Sequence, residues 1–238
     1  MNKAVIIQAR MSSSRFPAKM MADLAGVPLV RFVYERCCNS KEAGTVAVAT
    51  SDDSSDDTLW QYCRTEGIPV FSGSLDNVLR RYVRAAEFCH ADIICRLCGD
   101  SPFVDTALID DMFKLLAAEA IDYAAPVKEM CIAGLDSEVV RASALRAAAQ
   151  SATHTDELEH VTPYIRNNSD KFKIKLLDVN LRPDELSSLV LTVDYPGDLD
   201  RCNAIAAVLG KRYDFSSRDI FDAILLYNKE ILRINRWT

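Results

Sequence analysis

The run KAVIIQARMSSSRFPAKM near the start of the chain constrains the fold more than any other stretch. Ala4 to Ile7 is apolar and shows no helical period, which is the pattern of a buried strand. At Gln8 it breaks into a polar, cationic loop. In a parallel α/β sheet, ligands bind at the carboxyl ends of strands, so this loop lies where a ligand is expected. It supplies Arg10, Arg15 and Lys19 with the hydroxyls of Ser12, Ser13 and Ser14, and Pro17 restricts its backbone. Guanidinium forks match phosphate oxygens two at a time, and a hydrogen bond to a charged group contributes roughly 1.5–3 kcal/mol. Three cations on one loop can therefore hold a polyphosphate. The same residues also describe a solvated loop, because neither GxxxxGK[ST] nor GxGxxG is present and the first glycine is Gly26.

A chain of 238 residues with no linker-like stretch is read as one α/β domain over residues 1–238. The net charge of −6 argues against a nucleic-acid partner, while leaving room for a local basic funnel that takes a small anion. No stretch approaches the roughly 20 apolar residues of a membrane span, and the first residues lack a signal peptide's zones, so no membrane partner and a cytoplasmic location are expected. Eight cysteines in such a chain read as reduced thiols. Cys95 and Cys98 form a CxxC inside a strand-like run with no second pair at zinc spacing, and Cys37 and Cys38 read as half-buried small apolar residues.

Along the chain, Pro28 starts a helix to about Asn39, Thr45 to Ala49 is a second strand, and the acidic run TSDDSSDD reads as capping for a helix from Thr58 to Arg64. Gly67 to Phe71 is a third strand. Asp76, as a cap, opens an amphipathic helix to Cys89 whose free N–H groups can meet a ligand. The strand DIICRL runs into Gly99 and Asp100, an aspartate that either binds turn N–H groups or a metal, and Asp105 caps a helix from Thr106 to about Glu119. DYAAPV is a strand, and GLDSEVVRASALRAAAQ is a strand turning helical at about Ala142. There Asp136 and Glu138 share a face that is either an exposed edge or a substrate contact. DELEHVTPYIRNN is helical with an interruption at Pro163, and His160 is either a site residue or a satisfied interior group. Lys173 to Val179 and Ser188 to Val193 alternate as strands, the second delivering Asp194. Pro196 opens a helix ended by Gly210, and a last helix runs from about Ser217 to Ile231.

A cationic, hydroxyl-rich loop, Asp100 and Asp194 together resemble the nucleotidyltransferase fold. The segments ARMSSSRFPAKM, LDNVLRRY, RLCGDSPFVD, GLDSEVV, EHVTPYI and TVDYPGDL resemble cytidylyltransferases of the spore-coat polysaccharide biosynthesis protein F type, relatives of the CMP-3-deoxy-manno-octulosonate and CMP-sialic acid synthetases. The resemblance runs from about Lys3 to Leu199. It implies a three-layer α/β/α, glycosyltransferase-A-like fold with a mostly parallel mixed sheet. It further implies nucleotide binding by Gln8, Ala9, Arg10, Ser12, Arg15 and Lys19, with Asp76, Asn77 and Arg80 toward base or substrate. Asp136, Glu138 and His160 fall on the acceptor side, Asp100 and Asp194 hold Mg²⁺, and Arg10, Lys19, Asp100 and Asp194 carry catalysis. Where the family commonly has glycine, this chain has Ala18, which disfavours positive φ and implies a slightly re-aimed loop.

The implied reaction is attack by the oxygen of a small sugar-acid or phosphorylated acceptor on the α-phosphate of CTP, with pyrophosphate leaving, in surface polysaccharide or glycan precursor synthesis. A sugar hydroxyl acceptor needs deprotonation by the metal or His160, whereas a carboxylate or phosphate does not. The resemblance also implies a homodimer, with the irregular region at about 131–188 as interface or acceptor subregion. The alternatives are a metal-dependent glycosyltransferase, whose DxD signature is missing after the middle strand, and a non-catalytic nucleotide-binding protein.

Overall fold

The structure, a computed structural model, describes residues 1–210 and 212–226. Strand β1 (Lys3–Gln8) is fully buried from Ala4 to Ile7 because it lies at the centre of a sheet covered on both faces. A central strand presents side chains to two cores at once, which explains an apolar run without alternation. The chain then makes a two-residue hairpin, β2 (Asp23–Leu24) and β3 (Val27–Pro28), around Ala25 and Gly26 at φ 59° and 93°. Positive φ at both central positions is the turn that matches strand twist, so the Gly26 turn closes a hairpin before the helix starts.

Next come α1 (Leu29–Cys37), β4 (Thr45–Ser51), α2 (Asp57–Thr65), β5 (Val70–Gly73), α3 (Val78–Phe88), β6 (Ile93–Cys98) and α4 (Thr106–Ala118). They are followed by β7 (Tyr123–Pro126), β8 (Glu138–Arg141), α5 (Ala142–Ser151), α6 (Thr155–His160), α7 (Pro163–Arg166), β9 (Ile174–Leu177), α8 (Pro196–Val208) and α9 (Ser217–Leu226). The part of the last helix expected beyond Leu226 lies outside the described residues.

The main sheet has the order β5-β4-β1-β6-β8-β7-β9. All its neighbours pair in parallel except at β8, which runs against β6 and β7. One face packs on α1, α2, α4, α8 and α9 through Phe32, Leu59, Met112, Ile205 and Ile224, and the other on α3, α5 and α7 through Leu79, Tyr82, Leu145 and Ile165. The arrangement is a three-layer α/β/α sandwich. Each fully buried Leu, Ile or Phe in it contributes about 1.5–3 kcal/mol relative to exposure. No helix of the described residues is long and apolar enough to cross a membrane.

Two expected features change. Ser188 to Val193 forms no strand and joins no sheet: it begins in a turn, Leu191 donates to the Ala133 carbonyl and Val193 to that of Asp100, so its backbone bonds go to two different segments. Its alternation reflects Leu189, Leu191 and Val193 packing into the core. At the start of α3 the cap is Asn77, whose side chain accepts from the Arg80 amide at 2.8 Å, and Asp76 is exposed.

Candidate active site

At the carboxyl edge of the sheet the chain leaves β1 toward β4 on one side, while β6 lies on the other. Connections that diverge in this way leave a crevice. A cleft of about 430 Å³ fills it, lined by the loop after β1, including Gln8, Ala9, Arg10, Ser12, Arg15 and Lys19, and by Asp100 and Asp194. Gly99 makes the close approach feasible: its amide donates to the Gln8 carbonyl at 2.8 Å, and an added Cβ would lie 3.0 Å from that oxygen and from Met20 Sδ.

Lys19 organises the acidic side. Its Nζ lies 2.7 Å from Asp100 Oδ2 and 3.6 Å from Asp194 Oδ1, and donates to the Val193 carbonyl at 2.6 Å. The bond from the Val193 amide to the Asp100 carbonyl, 2.8 Å, brings the two aspartates side by side although 94 positions separate them in the chain (194 − 100). Arg15 crosses from the loop to Asp194 and sits over the Tyr195 ring. The Asp194 and Tyr195 amides are held in turn by Asp198 Oδ2 at 2.9 and 2.8 Å. Burial opposes the Asp198 charge, but these amides and the Arg201 guanidinium outweigh it and hold the carboxyl below its usual range. Burial pushes the Cys98 thiol up to about 11, so it stands beside Asp100 as a neutral group. Cys95, three residues back on β6, packs in the hydrophobic core.

Ala18 does not avoid positive φ. That residue adopts the left-handed conformation directly, at φ 58° and ψ 20°, with its amide bonded to the Met11 carbonyl at 3.0 Å.

A second cleft of about 920 Å³ adjoins the first and shares Cys98 and Asp100 with it. Because β8 runs against β6, its first residue, Glu138, faces Arg96 in the register and reaches the same sheet edge. Asp136, Glu138 and His160 all line this cleft. Glu138 is engaged from three sides, by Arg96 at 2.9 Å, the Tyr123 hydroxyl at 2.6 Å and the Thr162 hydroxyl at 2.8 Å. Burial and the Glu138 charge push the Tyr123 phenol well up, which keeps it a neutral donor. Asp136 accepts from the Gly134 amide, and His160 sits exposed at the rim, 3.6 Å from Asp156. Val161, at φ 73° and ψ −54°, makes a three-residue turn closed by the Thr162 amide on the His160 carbonyl at 2.8 Å. A β-branched residue in that conformation is strained, and the turn sets the Thr162 hydroxyl against Glu138. Asp76, Asn77 and Arg80 line neither cleft.

The cytidylyltransferase family pattern matches residues 4–197. The chain belongs to the cytidylyltransferase family. Spore coat polysaccharide biosynthesis protein SpsF of Bacillus subtilis is 34% identical over 224 residues, 90% of each chain. The 3-deoxy-manno-octulosonate cytidylyltransferase of Geobacter sulfurreducens is 39% identical over 119 residues, 49% of this chain and 46% of that one. A solved cytidylyltransferase from Leptospira borgpetersenii serovar Hardjo-bovis matches with a TM-score of 0.89 at 29% identity, covering 100% of this chain and 98% of that one. A CMP:2-keto-3-deoxy-manno-octonic acid synthetase complexed with CTP shares the fold, with a TM-score of 0.67 at 18% identity over 87% and 99% of the two chains.

In this cytidylyltransferase, three polar residues at or behind the site escape sequence reasoning. Asp198 and Thr162 act through backbone or carboxylate partners that periodicity does not reveal. Asp56 is read with its neighbours as capping, yet Asp53 caps the turn before α2 while Asp56 is fully buried and makes no capping bond. Four aspartates fall within six residues there, and only the fold distinguishes the buried one.

Proposed function

We propose that the chain transfers CMP from CTP to a small sugar-acid or phosphorylated acceptor, releasing pyrophosphate, with Mg²⁺ as cofactor, in the cytoplasmic synthesis of surface polysaccharide or glycan precursors. The observation that carries this reading is the meeting of two clefts at Asp100, one cationic and sized for a polyphosphate, the other larger and of mixed polarity. A nucleotide in the first and an acceptor in the second would bring the α-phosphate and the attacking oxygen together at that shared edge. Family membership and the likeness to SpsF and to a 3-deoxy-manno-octulosonate cytidylyltransferase support it.

In this reading Arg10, Arg15, Lys19 and the loop hydroxyls bind the triphosphate, and Arg15 exchanges Asp194 for a phosphate oxygen as the nucleotide enters. Lys19, buried between two carboxylates, faces the charge that builds on the phosphates during in-line displacement. The carboxylates suit a hard cation. Asp100 Oδ1 has no hydrogen bond among the described residues, and Asp194 Oδ2 has only the Thr192 hydroxyl at 3.3 Å. Two such oxygens suffice for Mg²⁺, which keeps several waters, takes substrate phosphates, and when bound neutralises charge and aligns donor and acceptor. A carboxylate or phosphate acceptor arrives as the anion, and for a sugar hydroxyl His160 is the base at the rim. The homodimer belongs to the same reading, with the face around residues 131–188 as interface; the exposed Leu176, at 53%, supports it.

Incubation with CTP, Mg²⁺ and a panel of sugar acids and phosphorylated sugars should give a CMP-linked product by mass spectrometry. No product with any acceptor, together with no CTP binding by calorimetry, would remove the proposal.

A further inference from the structure

The limbs of the loop after β1 close on one peptide. The Met11 carbonyl accepts from the Ser13 amide at 2.9 Å and from the Ala18 amide at 3.0 Å, so both limbs of the loop close on Met11. The Met11 amide donates to Asp56 Oδ1 at 2.6 Å. The other oxygen, Asp56 Oδ2, accepts from the Ser51 amide at 3.1 Å and from the Ser51 hydroxyl, at the end of β4. Asp56 has no exposed surface and lines neither cleft. Nearby, Arg81 is also buried. It donates through Nη1 to the Ser74 carbonyl at 2.8 Å; burial lowers its pKa, and the charge of Asp56 opposes that only in part.

A fully buried carboxylate persists only where its hydrogen bonds and charge are met, and bonds to an ionised acceptor are the strong and short ones. Asp56 meets this by clamping the first turn of the loop to the amide and hydroxyl of Ser51, the last residue of β4. From this we infer that Asp56 is the positioning residue of the triphosphate loop, acting through Met11 to hold Arg10, Ser12 and Lys19 in the geometry that receives a nucleotide triphosphate. The inference rests on the proposed nucleotide reading for its ligand, and on the hydrogen bonds alone for its mechanics. Asp56 touches neither nucleotide nor acceptor. Its removal therefore weakens nucleotide capture by a loosened loop without deleting a reacting group.

Two measurements test it. In steady-state kinetics, Asp56→Asn, which keeps shape and loses the charge, should raise KM for CTP at least tenfold while kcat falls less than threefold. Asp57→Asn, one residue on and exposed, should leave both unchanged. A folded Asp56→Asn with wild-type KM overturns the inference. A destabilised variant whose surviving fraction binds CTP normally overturns it too, since a purely structural role predicts that outcome. Independently of turnover and of any variant, hydrogen exchange on the wild-type protein without nucleotide should show the Met11 and Ala18 amides protected at least a hundredfold against the rate of an unstructured peptide of the same sequence. Exchange of Met11 at the unstructured rate overturns the clamp, whereas protection with no CTP turnover of the wild type counts against the nucleotide reading alone.

Discussion

Ala18 shows how far a single residue can be read. Its identity suggests a loop that avoids positive φ, but two backbone bonds, Ala18 N to Met11 O at 3.0 Å and Met21 N to Ala18 O at 2.9 Å, hold it at φ 58°. The left-handed conformation costs an alanine about 1–2 kcal/mol, and glycine returns part of that gain as unfolded-state entropy. Ala18→Gly should therefore raise stability by about 0.5–1 kcal/mol in urea denaturation, with activity retained. Asp198 is not singled out by the sequence pattern; its task is to hold the amides beside Asp194. Its folded carboxyl titrates below the unfolded value, so its contribution is present above that value and is lost as pH falls through the folded one. Asp198→Asn should cost about 1–2 kcal/mol at pH 7. The gap from wild type should narrow when denaturation is repeated below about pH 4, near the ordinary carboxyl value.

Among the elements, those set by local pattern were the most legible. Strands β1 and β6 and helices α4 and α5 fall close to their expected places because burial on both faces, the Asp105 cap and an apolar stripe are written locally. The segment from Ser188 to Val193 was read as a strand since its apolar alternation is real. What periodicity cannot state is where backbone bonds go, and here they go to Ala133 and Asp100. That segment carries Asp194, so the turn it packs on matters for the site. Gly134 has φ 97°, and an added Cβ would lie 2.6 Å from the Leu191 carbonyl carbon. Gly134→Ala must therefore move one of two backbones. It should cost about 2–4 kcal/mol in denaturation and, if the protein is assayed while folded, lower turnover through a displaced Asp194.

For the molecule as a whole, a parallel sheet with a cationic loop at its carboxyl edge follows from the first strand, whereas the convergence of Lys19, Asp100 and Asp194 depends on three distant segments. Only the likeness of whole motifs to a family pointed to it, and the fold supplies the reason, a switch point between β1 and β6 bridged by one lysine. Asp100→Asn and Asp194→Asn should each lower turnover at least a hundredfold with an unchanged circular-dichroism spectrum, because Asp100 carries charge at the edge the two clefts share and Asp194 carries it beside Asp100 in the first cleft. The most direct test of the account follows the fate of the phosphates. With CTP labelled at the α-phosphorus, Mg²⁺ and a sugar-acid panel, the label should appear in an acceptor-linked product, while label at the γ-phosphorus should leave entirely as pyrophosphate. Transfer of the γ-label to the acceptor, or equal use of ATP, GTP and UTP in place of CTP, would contradict it.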